Sequence, residues 1–307
     1  MQQNILLFFQ RIGNGTLDKA ASLITWMGQD VAAMAIIALV LWCINKRKGL
    51  VMGLILISAN TVMNIVKAIV RYPRPFTVIE GLTGKELEGA TGYSFPSGHS
   101  TNAASLYSSV AVNFRKKGLS FICAAMIVLV GLSRLYLGVH WPTDVLCGII
   151  LGICMTFGLN EFLTRLMSDT EKAVRIGWFV GGFLFAAGLF FGILVDFAGA
   201  DKTAFRDLVT VLAMFGGALL GFGLEEKTVP FSVEGNVRAK FFRYIIGLIT
   251  LILLRAGLKA ILPTAVTSDG FRYGILGFWI YGGYPVLGVK VRLFQAEEKQ
   301  AEQPQAE

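Results

Sequence analysis

Residues 119–166 read LSFICAAMIVLVGLSRLYLGVHWPTDVLCGIILGICMTFGLNEFLTRL, which is two apolar runs, 119–138 and 142–166, joined by a three-residue connector. Each run provides the roughly 20 mainly apolar residues that a helix needs to cross a bilayer. Backbone polar groups must be satisfied internally in lipid, so such runs form helices there. The stretch therefore predicts a pair of membrane-spanning helices.

The composition extends this prediction to the whole chain. Its 307 residues have a mean hydropathy of +0.63 and are 54% hydrophobic and 16% charged, whereas soluble domains carry about 25% charged residues. Nine apolar runs are expected to span the membrane: 30–46, 50–70, 99–114, 119–138, 142–166, 174–196, 205–224, 240–262 and 273–292. The 99–114 run is short and rich in Ser and Asn, and hydropathy alone would not identify it. The sequence thus predicts an all-α, polytopic transmembrane helical bundle.

The runs divide the chain into four expected segments. Residues 1–28 are moderately amphipathic and are expected to lie in the membrane interface. Residues 29–196 contain six spans, and residues 197–293 form an extension of three further spans. Residues 294–307 are polar and are expected to form a disordered cytoplasmic tail. The apolar patch 5–9 lacks a preceding basic segment and a following small-residue cleavage site, so we expect no cleaved signal peptide.

Basic residues predict the orientation of the bundle. The formal net charge is +8, from 28 Lys and Arg against 20 Asp and Glu. Most of these cations lie in connectors between apolar runs, which is typical of topology signals, so we expect no nucleic-acid partner. Cations in connectors such as 46–48 and 115–117 predict an external N-terminus and an internal C-terminus. That orientation puts the loop 71–98 and the connector 134–141 together on the outer side.

Three clusters of polar residues lie at the ends of the apolar runs. They are Lys67, Arg71 and Arg74-Pro75; Pro96-Ser97-Gly98-His99; and Ser133-Arg134, His140 and Asp144. Guanidinium and ammonium groups from separate segments can surround a phosphate. Ser97 is a predicted N-cap for the 99–114 helix, whose first amide groups would then face outward as an anion site that Gly98 leaves open to close approach. These residue types together indicate a phosphate-binding site.

The chain contains only two histidines, and both lie in these clusters. Two imidazoles near one phosphate permit a division of labour: a neutral His attacks phosphorus, and a protonated His donates to the leaving oxygen. Asp144 follows His140 by four residues and can accept a hydrogen bond from one ring nitrogen, which leaves the other free to attack. No carboxylate-rich cluster that would hold Mg²⁺ is present, so we expect a metal-independent reaction without a cofactor.

The spacing of these residues resembles that of a known family. The pattern is Lys67-x6-Arg74-Pro75, then Pro96-Ser97-Gly98-His99, then Ser133-Arg134-x5-His140-x3-Asp144. It resembles the type 2 phosphatidic acid phosphatase superfamily, which includes lipid phosphate phosphatases, bacterial undecaprenyl-diphosphate phosphatases, glucose-6-phosphatases and vanadium haloperoxidases. Every position that defines the family is present and in order, and the resemblance covers residues 25–166.

The resemblance implies a role for each residue of the pattern. It makes His140 the nucleophile, Asp144 its orienting partner and His99 the acid for the leaving group. The implied phosphate ligands are Lys67, Arg74, Ser97, Gly98 and Arg134. It also implies a six-helix phosphatase core, so the last three spans are additional. A nine-span layout with an external N-terminus is similar to that of glucose-6-phosphatases in topology only.

Three other cations are secondary candidates. Arg71 is as consistent with a loop or interface arginine as with a phosphate contact. Arg255 lies about 12 Å along a helix from the outer boundary at Pro263, and Lys259 follows one turn nearer the surface. Ionisable residues at such depth are candidates for binding a second phosphate or a head group. The alternative is that both side chains snorkel towards the interface.

The sequence favours a hydrolase that acts on a lipid monophosphate or diphosphate, of the phosphatidic acid or undecaprenyl diphosphate type, at the outer face of a membrane. The family and size suggest a bacterial cytoplasmic membrane. A lipid phosphotransferase would use the same phosphohistidine with an acceptor other than water. A non-enzymatic membrane transporter or lipid-interacting relative is the alternative from another class, and haloperoxidase activity does not fit a lipid-facing protein. The sequence makes no prediction of oligomeric state.

Overall fold

The computed structural model describes residues 1–297, which fold almost entirely into helices. The α-helices are α1 (Gln2–Ile12), α2 (Gly15–Trp26), α3 (Asp30–Leu39), α4 (Lys46–Val70), α5 (Pro75–Val78), α6 (Gly98–Phe114), α7 (Lys117–Tyr136), α8 (Pro142–Leu166), α9 (Thr170–Phe197), α10 (Lys202–Thr228), α11 (Val237–Ile261), α12 (Val266–Phe278) and α13 (Tyr284–Lys290). A π-helical turn, Val40–Ile44, continues α3, and another, Trp279–Gly283, joins α12 to α13. Two short antiparallel strands, β1 (Phe231–Ser232) and β2 (Gln295–Ala296), pair with each other. The all-α prediction is confirmed.

All nine predicted apolar runs are helical. Six helices in the described part of the chain are long and apolar enough to cross a membrane: α4 with α5, α7, α8, α9, α10 and α11. A seventh span results if α2 and α3, which are bent by 49° relative to each other, count as one. The Ser-rich α6 and the interrupted helix α12–α13 fall outside this length and hydropathy criterion. The multi-span helical bundle is thus confirmed, although three of the nine runs are not recognisable as spans by hydropathy.

The first 28 residues form two helices instead of one continuous amphipathic stretch. Asn14 separates them as the N-cap of α2, accepting hydrogen bonds from two backbone amides. Both helices lie against α7. Leu6 is buried against Ile79 and Leu82 of the loop that follows α4. The N-terminal segment therefore packs on the same end of the bundle as that loop, while its position in the membrane interface stays a prediction.

The predicted disordered tail is wrong for its first residues. Phe294 is only 2% exposed and packs edge-on against Phe231, with their ring centroids 4.9 Å apart. The guanidinium carbon of Arg243 lies 4.4 Å from the centroid of the Phe294 ring, and Gln295–Ala296 form β2. Burial of one aromatic ring between a second ring and a cation outweighs the polar composition of the residues that follow. The rest of the predicted tail, 298–307, lies outside the described residues.

Glycines bring the extension helices into close contact. A β-carbon added to Gly217 of α10 would overlap the carbonyl oxygen of Gly274 in α12. On the other side of α10, a β-carbon at Gly188 of α9 would lie 2.9 Å from the backbone nitrogen of Ala213. Small residues permit such backbone approach in lipid, where van der Waals packing drives helix association. The three helices α9, α10 and α12 therefore form one packed unit, in which two extension helices pack with α9 of the preceding segment.

We expect Gly217→Ala to destabilise the protein, because the added methyl group meets backbone that cannot rotate away. Overpacking of this kind costs about 1–3 kcal/mol. Thermal unfolding in detergent, followed by circular dichroism, measures the change in the midpoint. Gly182→Ala is the matched control, since no atom lies within 4 Å of the added carbon in that membrane helix. Equal midpoints for the two variants would contradict the close contact between α10 and α12.

Candidate active site

Four helix ends meet at one end of the bundle. Arg74 follows the C-terminus of α4, and Arg134 lies in the last turn of α7. His99 lies in the first turn of α6, and His140 precedes the first residue of α8 by two positions. Since α6 packs against α4, α7 and α8, these ends are neighbours. The three sequence clusters thus converge, as the motif spacing predicted.

His140 is buried next to a carboxylate. Its Nδ1 lies 3.4 Å from Asp144 Oδ2 and 3.4 Å from Ser94 Oγ. Ser94 Oγ donates to Asp144 Oδ2 at 2.5 Å, and the backbone N–H of Trp141 donates to the same oxygen at 2.9 Å. His140 is 2% exposed and Asp144 is fully buried. A fixed carboxylate at this position favours the proton on Nδ1, so that the lone pair is on Nε2.

The guanidinium of Arg74 faces the opposite ring nitrogen. Its Nη1 lies 3.3 Å from His140 Nε2 and donates to the carbonyl oxygen of Val139 at 3.0 Å. Its Nε donates to the carbonyl oxygen of Gly92 at 3.0 Å, and its Nη2 donates to that of Thr91 at 2.5 Å. Arg74 is therefore held in a single orientation, with a positive group next to the unprotonated nitrogen of the imidazole.

Two further cations are buried in the same region. Lys67 is 5% exposed and donates from Nζ to the carbonyl oxygen of Tyr93 at 2.5 Å. Arg134 is 1% exposed, and its Nη1 donates to Thr25 Oγ1 at 2.7 Å. Within residues 1–297, Arg134 Nε, Arg134 Nη2 and His99 Nε2 are buried without a hydrogen-bond partner. Buried polar groups are almost always paired in native proteins, so these three nitrogens indicate a site for a polar ligand.

The buried surroundings lower the pKa of His140 well below its ordinary value. Burial is the main cause, and the positive charges of Arg74, Arg134 and Lys67 add to it, followed by His99. His140 is consequently neutral at neutral pH, which is the form of an imidazole that can act as a nucleophile. The same electrostatic influence shows that the three cations and the second histidine all lie near its ring.

Ser97 and Gly98 lie where the sequence predicted them, at the start of α6. Ser97 is the N-cap, and its Oγ accepts from the backbone N–H of Ser100 at 3.5 Å. Its own backbone N–H donates to the carbonyl oxygen of Asp144 at 3.0 Å, which ties the N-termini of α6 and α8 together. Side-chain space beside Gly98 is open except for Met63, 3.5 Å from an added β-carbon.

The secondary candidates lie outside this cluster. Arg71 is about half exposed, and its Nη1 lies 3.8 Å from Asp201 at the start of α10. Arg255 and Lys259 lie on the exposed surface of α11, a helix that packs against α3, its π-helical turn and α12. The structure does not bring these two residues to the buried cations Lys67, Arg74 and Arg134. Their binding of a second phosphate stays a prediction that no contact here favours.

Several residues of the site were missed from the sequence. Ser94 contacts both His140 and Asp144, and Thr25 is the partner of Arg134. The backbone carbonyls of 91–93 hold Arg74 and Lys67. A serine just before the Pro96-Ser97-Gly98-His99 motif is a weak signal for Ser94. No comparable signal exists for backbone carbonyls or for a threonine 109 residues away from its partner.

Comparison with known proteins matches both halves of the chain. Residues 48–168 match the family model of the PAP2 superfamily, and residues 209–298 match that of the PAP2 superfamily phosphatase transmembrane extension. Over 167 residues the chain is 30% identical to undecaprenyl-diphosphatase BcrC of Bacillus subtilis, covering 53% of this chain and 83% of that protein. Over 91 residues it is 40% identical to phosphatidylglycerophosphatase B of Bacillus subtilis, covering 27% of this chain and 45% of that protein.

A solved structure is similar as well. The crystal structure of a transmembrane PAP2-type phosphatidylglycerolphosphate phosphatase from Bacillus subtilis is 28% identical, with a TM-score of 0.45 over 54% of this chain and 85% of that one. The match to phosphatidylglycerophosphatase B spans less than half of that relative's length, whereas the match to BcrC spans most of it. Extensive coverage of BcrC, with the two family matches, shows that this multi-span membrane protein belongs to the PAP2 superfamily, as the motifs indicated.

Proposed function

We propose that this chain is an integral membrane phosphatase that hydrolyses a lipid-linked phosphate monoester or diphosphate through a phosphohistidine on His140. One observation carries the proposal: a neutral, buried imidazole has Nδ1 beside the carboxylate of Asp144 and Nε2 beside the guanidinium of Arg74. An anion drawn to Arg74 would meet the lone pair of Nε2. Attack on phosphorus follows from this arrangement.

In the first step, His140 Nε2 attacks phosphorus and a P–N bond forms. The P–O bond to the leaving group breaks, and the leaving oxygen takes a proton from His99 Nε2. Arg74, Lys67 and the free nitrogens of Arg134 stabilise the charge on the equatorial oxygens. Because the phosphate is an anion, its binding favours the protonated form of His99 that this step requires.

In the second step, water attacks the phosphorus of the phosphohistidine. His99 accepts a proton from that water, the P–N bond breaks, and its electron pair returns to His140 Nε2. Inorganic phosphate leaves, and both imidazoles regain their starting protonation states. The protons balance between the two histidines, so we propose a metal-independent and cofactor-free reaction.

The surroundings of the site favour a lipid as the substrate. The last turn of α4 exposes Ile69, which is 74% exposed, and Val70, and the residues after it expose Tyr72 and Val78. These apolar side chains lie within a few positions of Arg74, at the end of a membrane-spanning helix. An acyl or prenyl chain could lie against them in the bilayer while its phosphate reaches the cations. Relatives named as undecaprenyl-diphosphatase and phosphatidylglycerophosphatase support the phosphatidic acid or undecaprenyl diphosphate type.

A phosphotransferase would share the first step and differ in the acceptor that replaces water. A non-enzymatic role is less consistent with the site, because every catalytic position of the motif is occupied by a functional side chain. Turnover that requires a second acceptor lipid would favour the phosphotransferase. Turnover in its absence supports the hydrolase.

We expect His140→Asn to abolish turnover and labelling of the protein by a ³²P-phosphate substrate, since no nucleophile remains. His99→Asn, given a substrate with a good leaving group such as p-nitrophenyl phosphate, should accumulate labelled phosphohistidine. Loss of His99 slows the second step, which needs a base to activate water. It slows the first step less, because a good leaving group needs little help from an acid. Gels run at alkaline pH after quenching in detergent measure the label, which should be lost on treatment with acid, and EDTA should leave the wild-type rate unchanged. Turnover by His140→Asn, or inactivation by EDTA, would refute the mechanism.

We expect the His140 ring to stay neutral well below pH 6.5. Its lowered pKa means that protonation, and the resulting loss of the nucleophile, occurs only at pH values below the ordinary value of about 6.5. The acid limb of kcat/KM that belongs to the free enzyme should lie in that lower range. Because the chain has two histidines, ¹⁵N-histidine labelling gives ring-nitrogen signals from two imidazoles, and His99→Asn assigns those of His140. A His140 signal that titrates above pH 6.5 would contradict the neutral nucleophile.

We also propose that the site faces outward from a bacterial cytoplasmic membrane. The opposite end of the bundle holds Lys46, Arg47 and Lys48 in the first turn of α4 and Arg115 after α6, and the positive-inside rule favours a cytoplasmic position for that end. Sealed right-side-out vesicles should hydrolyse added short-chain phosphatidic acid without detergent. Inside-out vesicles should do so only after permeabilisation. The reverse pattern would overturn the proposed orientation.

A further inference from the structure

Residues 91–94, termed here the site loop, hold the phosphate-binding cations through backbone carbonyls. The carbonyl oxygens of Thr91 and Gly92 accept from Nη2 and Nε of Arg74 at 2.5 and 3.0 Å. The carbonyl oxygen of Tyr93 accepts from Nζ of Lys67 at 2.5 Å. Three consecutive peptide groups therefore determine where two of the three cations lie.

The last residue of the site loop also orients the nucleophile. Ser94 Oγ donates to Asp144 Oδ2 at 2.5 Å and lies 3.4 Å from His140 Nδ1. A shift of the site loop would move the two cations, Asp144 and the imidazole together. Because a misplacement of about 1 Å is enough to slow a reaction about 100-fold, the loop must be held firmly.

The backbone of the site loop provides little of that support. Ser94 N–H donates to the carbonyl oxygen of Tyr72 at 2.8 Å. The backbone N–H groups of Thr91, Gly92 and Tyr93 donate to no backbone carbonyl of the described residues, 1–297. Gly92 adopts a left-handed conformation with φ +62°, which suits glycine and marks a turn. The loop must therefore be held by its side chains.

Two carboxylates at the start of α10 hold those side chains. Thr91 Oγ1 donates to Asp207 Oδ2 at 2.9 Å. The hydroxyl of Tyr93 donates to Asp201 Oδ2 at 2.8 Å. Asp201 is itself fixed, because its Oδ1 caps α10 by accepting from the N–H groups of Thr203 and Ala204 at 2.9 and 3.2 Å. The other oxygen is thus aimed at the loop.

The two negative charges are stabilised by hydrogen-bond donors and cations around them. The hydrogen bond from Tyr93 lowers the pKa of Asp201, and the same bond raises the pKa of the Tyr93 hydroxyl. Asp207 lies near enough to Lys67 and Arg74 to attract both cations. An anion behind the site loop offsets the mutual repulsion of cations in front of it.

We propose that Asp201 and Asp207 are positioning residues, through which the C-terminal extension fixes the site loop and thereby Arg74, Lys67 and the His140–Asp144 pair. The inference rests on the proposed function for what the site does, but the mechanical link is independent of it. The extension, which follows the matched phosphatase core, is then part of the active site's support. Without the extension, the loop would keep its contacts with Arg74, Lys67, Asp144 and the backbone of Tyr72, but the side chains of Thr91 and Tyr93 would lose their acceptors.

The experiment compares Asp201→Asn, Asp207→Asn and the double variant in the full-length protein in detergent. Asparagine still caps α10, so the substitution at 201 removes the charge and the acceptor offered to Tyr93 while retaining the cap. Each substitution removes a hydrogen bond to a charged group that holds the loop, so we expect kcat to fall at least about 10-fold in the double variant. KM should change less, because displaced cations stabilise the transition state more than the ground state.

Thr91→Val and Tyr93→Phe remove the donors instead of the acceptors. If Asp207 acts through Thr91, then Thr91→Val combined with Asp207→Asn should cost little more than either change alone. The same holds for Tyr93→Phe with Asp201→Asn. Fully additive losses in both pairs would overturn the proposed link.

Asp269→Asn is the matched control. Asp269 also lies on the extension, and it pairs with Arg206 at 3.0 Å and with Arg272. In the described part of the chain it makes no hydrogen bond or ion pair with the site loop. The variant loses the same charge, and it should retain the wild-type kcat.

Two readouts that need no turnover separate this inference from the proposed function. Hydrogen exchange of peptides that cover residues 85–97 should quicken in the double variant, and calorimetry should show weaker binding of inorganic phosphate. If the wild type proves inactive but both changes occur, the proposed function fails and the inference stands. If the wild type is an active phosphatase and the double variant matches it in kcat, exchange and phosphate binding, the inference fails alone.

Discussion

The contact between the guanidinium of Arg74 and the neutral imidazole of His140 is the interaction on which the site depends. A buried cation is costly because it loses hydration, and a second and third cation nearby, Lys67 and Arg134, add repulsion. The structure offsets this cost with oxygen acceptors: the carbonyls of residues 91–93 and Val139, and the carboxylate of Asp144. Burial of the ring keeps His140 neutral, and the positive charge beside it adds to that effect. A phosphate would relieve the repulsion, so binding and nucleophile activation have one electrostatic cause.

The helical bundle makes this arrangement possible by bringing four helix ends to one place. Antiparallel neighbours place the C-termini of α4 and α7 beside the N-termini of α6 and α8. Cations near the two C-termini then lie beside the first turns of α6 and α8. The backbone bond from Ser97 to Asp144 fixes the two N-termini relative to each other. The chemistry is therefore located by helix packing, and glycine contacts such as Gly152 against Thr101 and Ala104 keep α8 close to α6.

Short-range features were predictable from the sequence, and long-range ones were not. The relation of His140 to Asp144 follows from a spacing of four residues, and the N-cap role of Ser97 follows from its position before an apolar run. The helical nature of all nine apolar runs followed from hydrophobicity and, for α6, from its motif. By contrast, Ser94 lies 46 residues from His140, and Thr91 lies 116 residues from Asp207. Contacts over such distances depend on how helices pack, for which one sequence gives no direct signal. The prediction of a disordered tail failed at Phe294 for a related reason. Phe294 packs against Phe231 and Arg243, which come from other segments of the chain.

The two carboxylates that support the site loop lie outside both family matches. The matched core ends at residue 168 and the matched extension begins at residue 209, so Asp201 and Asp207 lie between them. Yet the carbonyls of the site loop fix the positions of two cations, and the hydroxyls of Thr91 and Tyr93 donate to carboxylates that lie outside the core motifs. A core without such carboxylates would have to hold this loop by other contacts. In this protein the extension contributes negative charge behind the loop, where it balances the positive charges of Lys67 and Arg74.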